Sequence, residues 1–138
     1  MKHPLILLAI AFVSSLALAH SELVTSTPAK GANVKTAPAT VSLTFDDPVE
    51  MAFSTFKVYA YSGEITNGKL RAFAQTKTAL KTDDAARADT GATQGGTTKT
   101  VTLKMKPNLK AGTYVVMWKA LGADGHTVQD QFYFRVRP

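Results

Sequence analysis

Apolar and polar residues alternate with a period of two along most of the chain. In residues 41–45, Val41, Leu43 and Phe45 fall on one face and Ser42 and Thr44 on the other, the pattern of a half-buried strand. Residues 53–61 are β-branched and aromatic and place Phe56, Val58 and Ala60 together. Residues 99–105 repeat the alternation through Val101, Leu103 and Met105. Residues 113–121 are apolar on both faces, with Tyr114, Val116 and Trp118 on one side, as expected of a central strand. Residues 127–136 set Phe132, Phe134 and Val136 opposite Tyr133 and Arg135. Pro28, Pro38, Pro48 and Pro107 are expected between strands, where a missing N–H removes no ladder bond. Gly112, Gly122 and Gly125 bracket the strand that carries Trp118. An open sheet would leave its apolar faces wet, so the pattern predicts an all-β fold of two packed sheets. Residues 76–98 depart from it, being rich in Thr, Ala, Asp and Gly. They predict an excursion between strands, with a short helix over 79–88 and a loop over 91–96.

The first residues follow another logic. Lys2 precedes an uncharged apolar run over residues 5–18, and Ala17-Leu18-Ala19 has the small-x-small form of a cleavage site. Residues 1–19 therefore read as a secretory signal peptide. An uncleaved anchor is the alternative, but the run is short of the ~20 residues that span a bilayer. Cleavage after Ala19 would leave residues 20–138 as one exported, soluble domain beginning at His20.

Composition narrows the function. A chain of 138 residues, 45% hydrophobic and 19% charged, has room for one globular domain and is too apolar to be disordered. With no cysteine, disulfides, thiolate zinc sites and catalytic thiols are excluded. The net charge of +6 comes from scattered lysines, which read as a solvated basic surface and not a nucleic-acid footprint. One interior histidine and no G-x-S-x-G elbow leave no serine triad to build. Residues 91–96 lack the Lys-Ser/Thr of a phosphate loop.

Two histidines survive the expected processing. His20 would carry a free α-amine beside its imidazole, and the two can close a six-membered chelate ring on a metal. The amine has an ordinary pKa of about 7.7–8.0, so a metal can displace its proton near neutrality. His126 lies in Ala123-Asp124-Gly125-His126-Thr127; in an extended stretch Asp124 and His126 would point the same way. Three nitrogens from two histidines, with a carboxylate nearby, form the N/O environment that suits Cu(II). This arrangement is a histidine brace. Against it, Asp124-Gly125 is a two-residue hairpin signal, which would make His126 the first residue of a strand. The two histidines stand at opposite ends of the chain, and only a fold can join them.

The run 20–31, His-Ser-Glu-Leu-Val-Thr-Ser-Thr-Pro-Ala-Lys-Gly, resembles the mature start of CopC-like periplasmic copper-resistance proteins. The likeness continues through Ala37-Pro38, residues 41–45, Asp47-Pro48-Val49-Glu50, Ala111-Gly112-Thr113-Tyr114, Trp118, Asp124-Gly125-His126 and residues 132–136. It covers nearly all of residues 20–138 except 76–98. The resemblance implies a small Greek-key, immunoglobulin-like β-sandwich. It implies a non-enzymatic periplasmic protein that binds one Cu(II) per chain. Such a protein acts in copper resistance or homeostasis, sequestering the ion or passing it to an inner-membrane copper transporter. The implied ligands are His20 through amine and ring, His126 through its ring, and the Asp124 carboxylate. Asp47 matches a position where some members add an acidic ligand; an ordinary turn acid before Pro48 is the competing reading. Some members hold Cu(I) with a methionine cluster and a further histidine. Here Met51, Met105 and Met117 are widely spaced, so no dedicated Cu(I) site is expected, and Met105 and Met117 read as core fillers. A monomer without nucleic-acid partners is expected.

Two other functions use some of the same residues. A brace also serves copper monooxygenases, but an anionic ligand at Asp124 would disfavour the Cu(I) that oxygen activation needs. A metal-free immunoglobulin-like binding module would present Tyr59, Tyr61 and Tyr133 as a patch, although cross-strand pairing accounts for such residues equally well.

Overall fold

The computed structural model describes residues 21–138. Eight strands and one helix follow in order: β1 (Leu23–Thr27), β2 (Asn33–Val34), β3 (Thr40–Glu50), β4 (Thr55–Tyr61), α1 (Asn67–Thr78), β5 (Asp89–Ala92), β6 (Thr97–Met105), β7 (Gly112–Leu121) and β8 (Thr127–Val136). They form two four-stranded sheets, β1-β3-β6-β5 and β2-β8-β7-β4, packed face to face as a β-sandwich. The chain changes sheet at every step from β1 to β5 and again between β6 and β7, in the Greek-key manner.

The alternating residues make the core. Val41, Leu43, Phe45, Val101 and Leu103 from the first sheet meet Phe56, Val58, Tyr114, Val116, Trp118, Phe132 and Phe134 from the second. Phe45 and Phe132 both pack edge-to-face on Trp118, an arrangement that satisfies ring quadrupoles as well as area. Met105 and Met117 are buried fillers as read. Ala60, expected in this set, is exposed at the end of β4.

Four expectations need correction. The helix of the excursion lies earlier, at Asn67–Thr78; residues 79–88 hold only a 3-10 turn at Asp84–Ala86, and Asp89–Ala92 is a strand in place of part of the loop. Pro48 sits inside β3, not between strands. It is tolerated because the β3–β6 register is broken between Thr44 and Val49, the kind of bulge where a proline removes no ladder bond. Residues 51–53 form a 3-10 turn before β4. Finally, β7 and β8 are not joined by a two-residue turn: the last pair is Leu121 with Thr127, so residues 122–126 form a longer loop.

Helix α1 explains the two apolar faces of β7. Leu70, Phe73 and Ala74 cover Tyr59, Val115 and Met117 in a second cluster on the outer face of the sheet. Phe73 meets Tyr59 and Tyr61 edge-on. The tyrosines are thus packed under a helix, and Tyr59 is buried. A buried polar group fastens this layer. The Lys57 ammonium on β4 donates to the carbonyls of Lys77 and Leu80 at 3.0 and 2.8 Å and to Asp83 Oδ2 at 2.7 Å. It thereby caps the C-terminal turn of α1, where carbonyls lack partners and positive charge is favoured. Tyr59 donates its hydroxyl to the same Asp83 oxygen.

Candidate metal centre

Three segments meet at one end of the sandwich: the start of the described chain, the bulged part of β3 and the β7–β8 loop. Glu22 N–H donates to Asp46 Oδ1 at 2.7 Å, and Asp46 N–H donates back to the Glu22 carbonyl at 3.0 Å. Ser21 is 2% exposed, and its hydroxyl donates to the Pro48 carbonyl at 3.2 Å. That carbonyl also accepts from Ala123 N–H at 2.9 Å, and Val49 forms a bridge with Gly122. The bulge at Pro48 is therefore the joint that ties the N-terminal segment of one sheet to the loop of the other.

The loop is closed by Gly122 N–H to the His126 carbonyl at 2.8 Å and by Gly125 N–H to the Gly122 carbonyl at 2.9 Å. Gly125 has a φ of 86°, a region that costs other residues strain and glycine none. The turn folds Asp124 onto His126. Oδ1 accepts the His126 N–H at 2.9 Å, and Oδ2 lies 3.2 Å from His126 Nδ1. The two side chains meet through a turn, not along the extended stretch the spacing invoked. Such a carboxylate contact fixes the imidazole's orientation. The His126 side chain is 49% exposed, so the pair stands at the surface, where an ion can arrive.

The remaining expected ligands divide. His20 lies outside the described residues, as does the expected signal segment 1–19; Ser21, its covalent neighbour, lies directly against the loop. Asp47 is in the joint, its N–H donating to Asp46 Oδ1 at 2.8 Å; among the described residues its carboxylate does not join Asp124 and His126 in a group of three that could hold an ion. Among the described residues, no three His, Asp or Glu side chains converge on one point. Sequence reasoning weighed Asp46 beside Asp47 as an acidic ligand or a turn acid before Pro48, read Gly122 as strand punctuation and gave Ser21 no role at the site. An ideal Cβ on Gly122 would stand 2.6 Å from Ser21 Oγ and 2.7 Å from Asp124 Oδ1, so this glycine leaves room for both side chains. In the sequence it reads as one of the glycines that bracket the Trp118 strand, two places before the Asp124-Gly125-His126 run.

Comparison with known proteins adds a separate line of argument. The family model described as CopC domain matches residues 23–137. Copper resistance protein C of Pseudomonas syringae pv. tomato is 31% identical over 125 residues, spanning 91% of this chain and 86% of that protein. Copper transport protein CutJ of Bacillus subtilis is 30% identical over 132 residues, spanning 96% of this chain but 21% of that longer protein. The crystal structure of CopC from Methylosinus trichosporium OB3b superposes with a TM-score of 0.63 and 28% identity, covering 86% of this chain and 95% of the other. PcoC, a methionine-rich copper resistance protein from Escherichia coli, shares the fold at a TM-score of 0.62 and 23% identity, covering 86% of this chain and all of its own.

Proposed function

The chain belongs to the CopC domain family, and from that premise we propose that it is a periplasmic Cu(II)-binding protein of copper resistance and homeostasis. The observation that carries the proposal is the meeting of Ser21 with the Asp124–His126 turn. Ser21 is the covalent neighbour of His20, the residue that signal cleavage would expose, and the imidazole across from it is held by a carboxylate; both support this reading.

In this reading residues 1–19 are removed on export, and His20 offers its amine and ring nitrogen to the ion. His126 supplies the third nitrogen. Asp124 holds the His126 ring through Nδ1 and places negative charge beside the ion, which favours the divalent state. Asp47 is the candidate for a further oxygen. Nitrogen and oxygen donors of this kind suit Cu(II) over Cu(I), which prefers sulfur. Met105 and Met117 are sealed in separate apolar clusters, and one Cu(II) per chain with no dedicated Cu(I) site is the consistent stoichiometry. The work is ligand exchange: the monomer sequesters the ion or passes it to a membrane transporter, with no bond made or broken in a substrate.

The test is a Cu(II) titration followed by EPR, on protein exported naturally with its first residue verified as His20. One equivalent bound with nitrogen hyperfine coupling is expected. His126→Ala should lose one nitrogen from the spectrum, and one residue added before His20 should weaken binding by orders of magnitude. Failure of the authentic protein to bind, or equal affinity in the extended form, would overturn the brace.

A further inference from the structure

We infer that Ser21, Pro48 and Gly122 form a clasp that sets the amino-terminal residue against the Asp124–His126 pair, and that this clasp governs Cu(II) affinity. The inference rests on the brace reading and adds positioning residues to it.

An N-terminal residue is ordinarily the least ordered part of a chain. A site that uses it must remove that freedom before the ion arrives, or the ordering cost appears as lost affinity. The strand pairing of β1 begins only at Leu23 with Phe45. Everything closer to His20 depends on Glu22 and Ser21. The Glu22–Asp46 bonds hold the backbone at one remove. Among the described residues Ser21 makes the connection nearest the amino terminus: its side chain is buried and hydrogen-bonded to the Pro48 carbonyl, and that carbonyl holds Ala123 of the candidate metal loop as well. One backbone oxygen therefore joins both halves of the site.

Gly122 completes the clasp by lacking a side chain. Ser21 Oγ and Asp124 Oδ1 both stand over the position a Cβ would take, with the His126 carbonyl next at 3.4 Å. A methyl there meets two side-chain oxygens first, while the His126 carbonyl is at ordinary contact distance. Gly122→Ala would thus rotate Ser21 and Asp124 out of place and leave the β7–β8 ladder intact. Through Asp124 it would also release the His126 ring. Ser21→Ala removes the hydroxyl alone.

The experiment compares wild type, Gly122→Ala and Ser21→Ala, each exported and verified to begin at His20, by competitive Cu(II) titration, EPR and apo-protein Tm. Gly122→Ala should weaken Cu(II) binding about 10- to 100-fold, as loss of outer groups that orient metal ligands does, and should broaden or shift the EPR signal. Ser21→Ala should weaken it roughly fivefold, the equivalent of one hydrogen bond. Both should keep an apo Tm within about 5 °C of wild type. A purely structural role would instead lower Tm without changing the spectrum of the bound ion. Wild-type affinity and spectrum in both variants would overturn the clasp alone. No binding by wild type would overturn the brace reading and the clasp with it. Should Gly122→Ala fail to fold, Ser21→Ala decides.

Discussion

A buried ammonium, that of Lys57, lies away from the candidate metal loop. Lys57 is 3% exposed and Asp83 8%, and an ammonium removed from water at this depth is tolerated only when its protons are all used. Here each of the three has an acceptor. Asp83→Asn keeps the shape but removes the countercharge, and breaking a buried pair in this way is expected to cost about 3 kcal/mol. Burial alone would push the Asp83 carboxyl up; the hydrogen bonds from Lys57 and Tyr59 outweigh it and hold the group below its ordinary value. A lowered folded-state value contributes stability above the unfolded-state value of about 3.9, and that stability is lost as pH falls through the folded value. Thermal melts from pH 7 to pH 3 should therefore show wild type falling toward Asp83→Asn below about pH 4. Parallel curves would mean that the pair contributes no such stability. The same network explains the Tyr59 hydroxyl, which burial first and the Asp83 carboxylate second push above the ordinary phenol range.

At the scale of elements, helix α1 converts the outer face of β4, β7 and β8 into a second core. Met117 is fully buried there, so Met117→Ala should cost about 2–4 kcal/mol, as in any closed core. A urea melt showing a loss below about 0.5 kcal/mol would mean that this face is wet. The strands were legible where one face is core and the other solvent: Val41-Leu43-Phe45 and Val101-Leu103-Met105 are buried as their alternation indicates. The helix was not, because its buried positions are Leu70, Ala74 and Thr78, a stripe one residue wide with small members. Edge strand β1 was missed because its register shifts between Leu23 and Thr25, which breaks the period of two. Of the candidate metal centre, Asp124 and His126 were legible as a local run. Their meeting with Ser21 was not, since it depends on a bulge at Pro48 that pairs segments from opposite ends of the chain.

For the whole molecule, the position of the site matters as much as its ligands. Ser21 leads into β1 of one sheet, and Asp124 and His126 close the β7–β8 hairpin of the other. An ion held by His20 and His126 would bridge the two sheets at an end joined otherwise by the Pro48 contacts and the Val49–Gly122 bridge. The unfolded chain keeps only the two-nitrogen chelate of His20, so the full ligand set favours the folded state and copper would stabilise it by mass action, by at most about 2.7 kcal/mol when free ion is 100 times the Kd. For a domain of this size that is roughly 10 °C in Tm. The His126 ring is half exposed and outside both apolar clusters, so His126→Ala should melt like wild type without copper and gain almost nothing from copper. A form extended by one residue before His20 should behave the same way, although every side chain is present. Calorimetry of the three proteins with and without Cu(II) checks this. Equal copper-induced shifts in all three would show that the ion binds elsewhere and that the sheets are not bridged through the amino terminus.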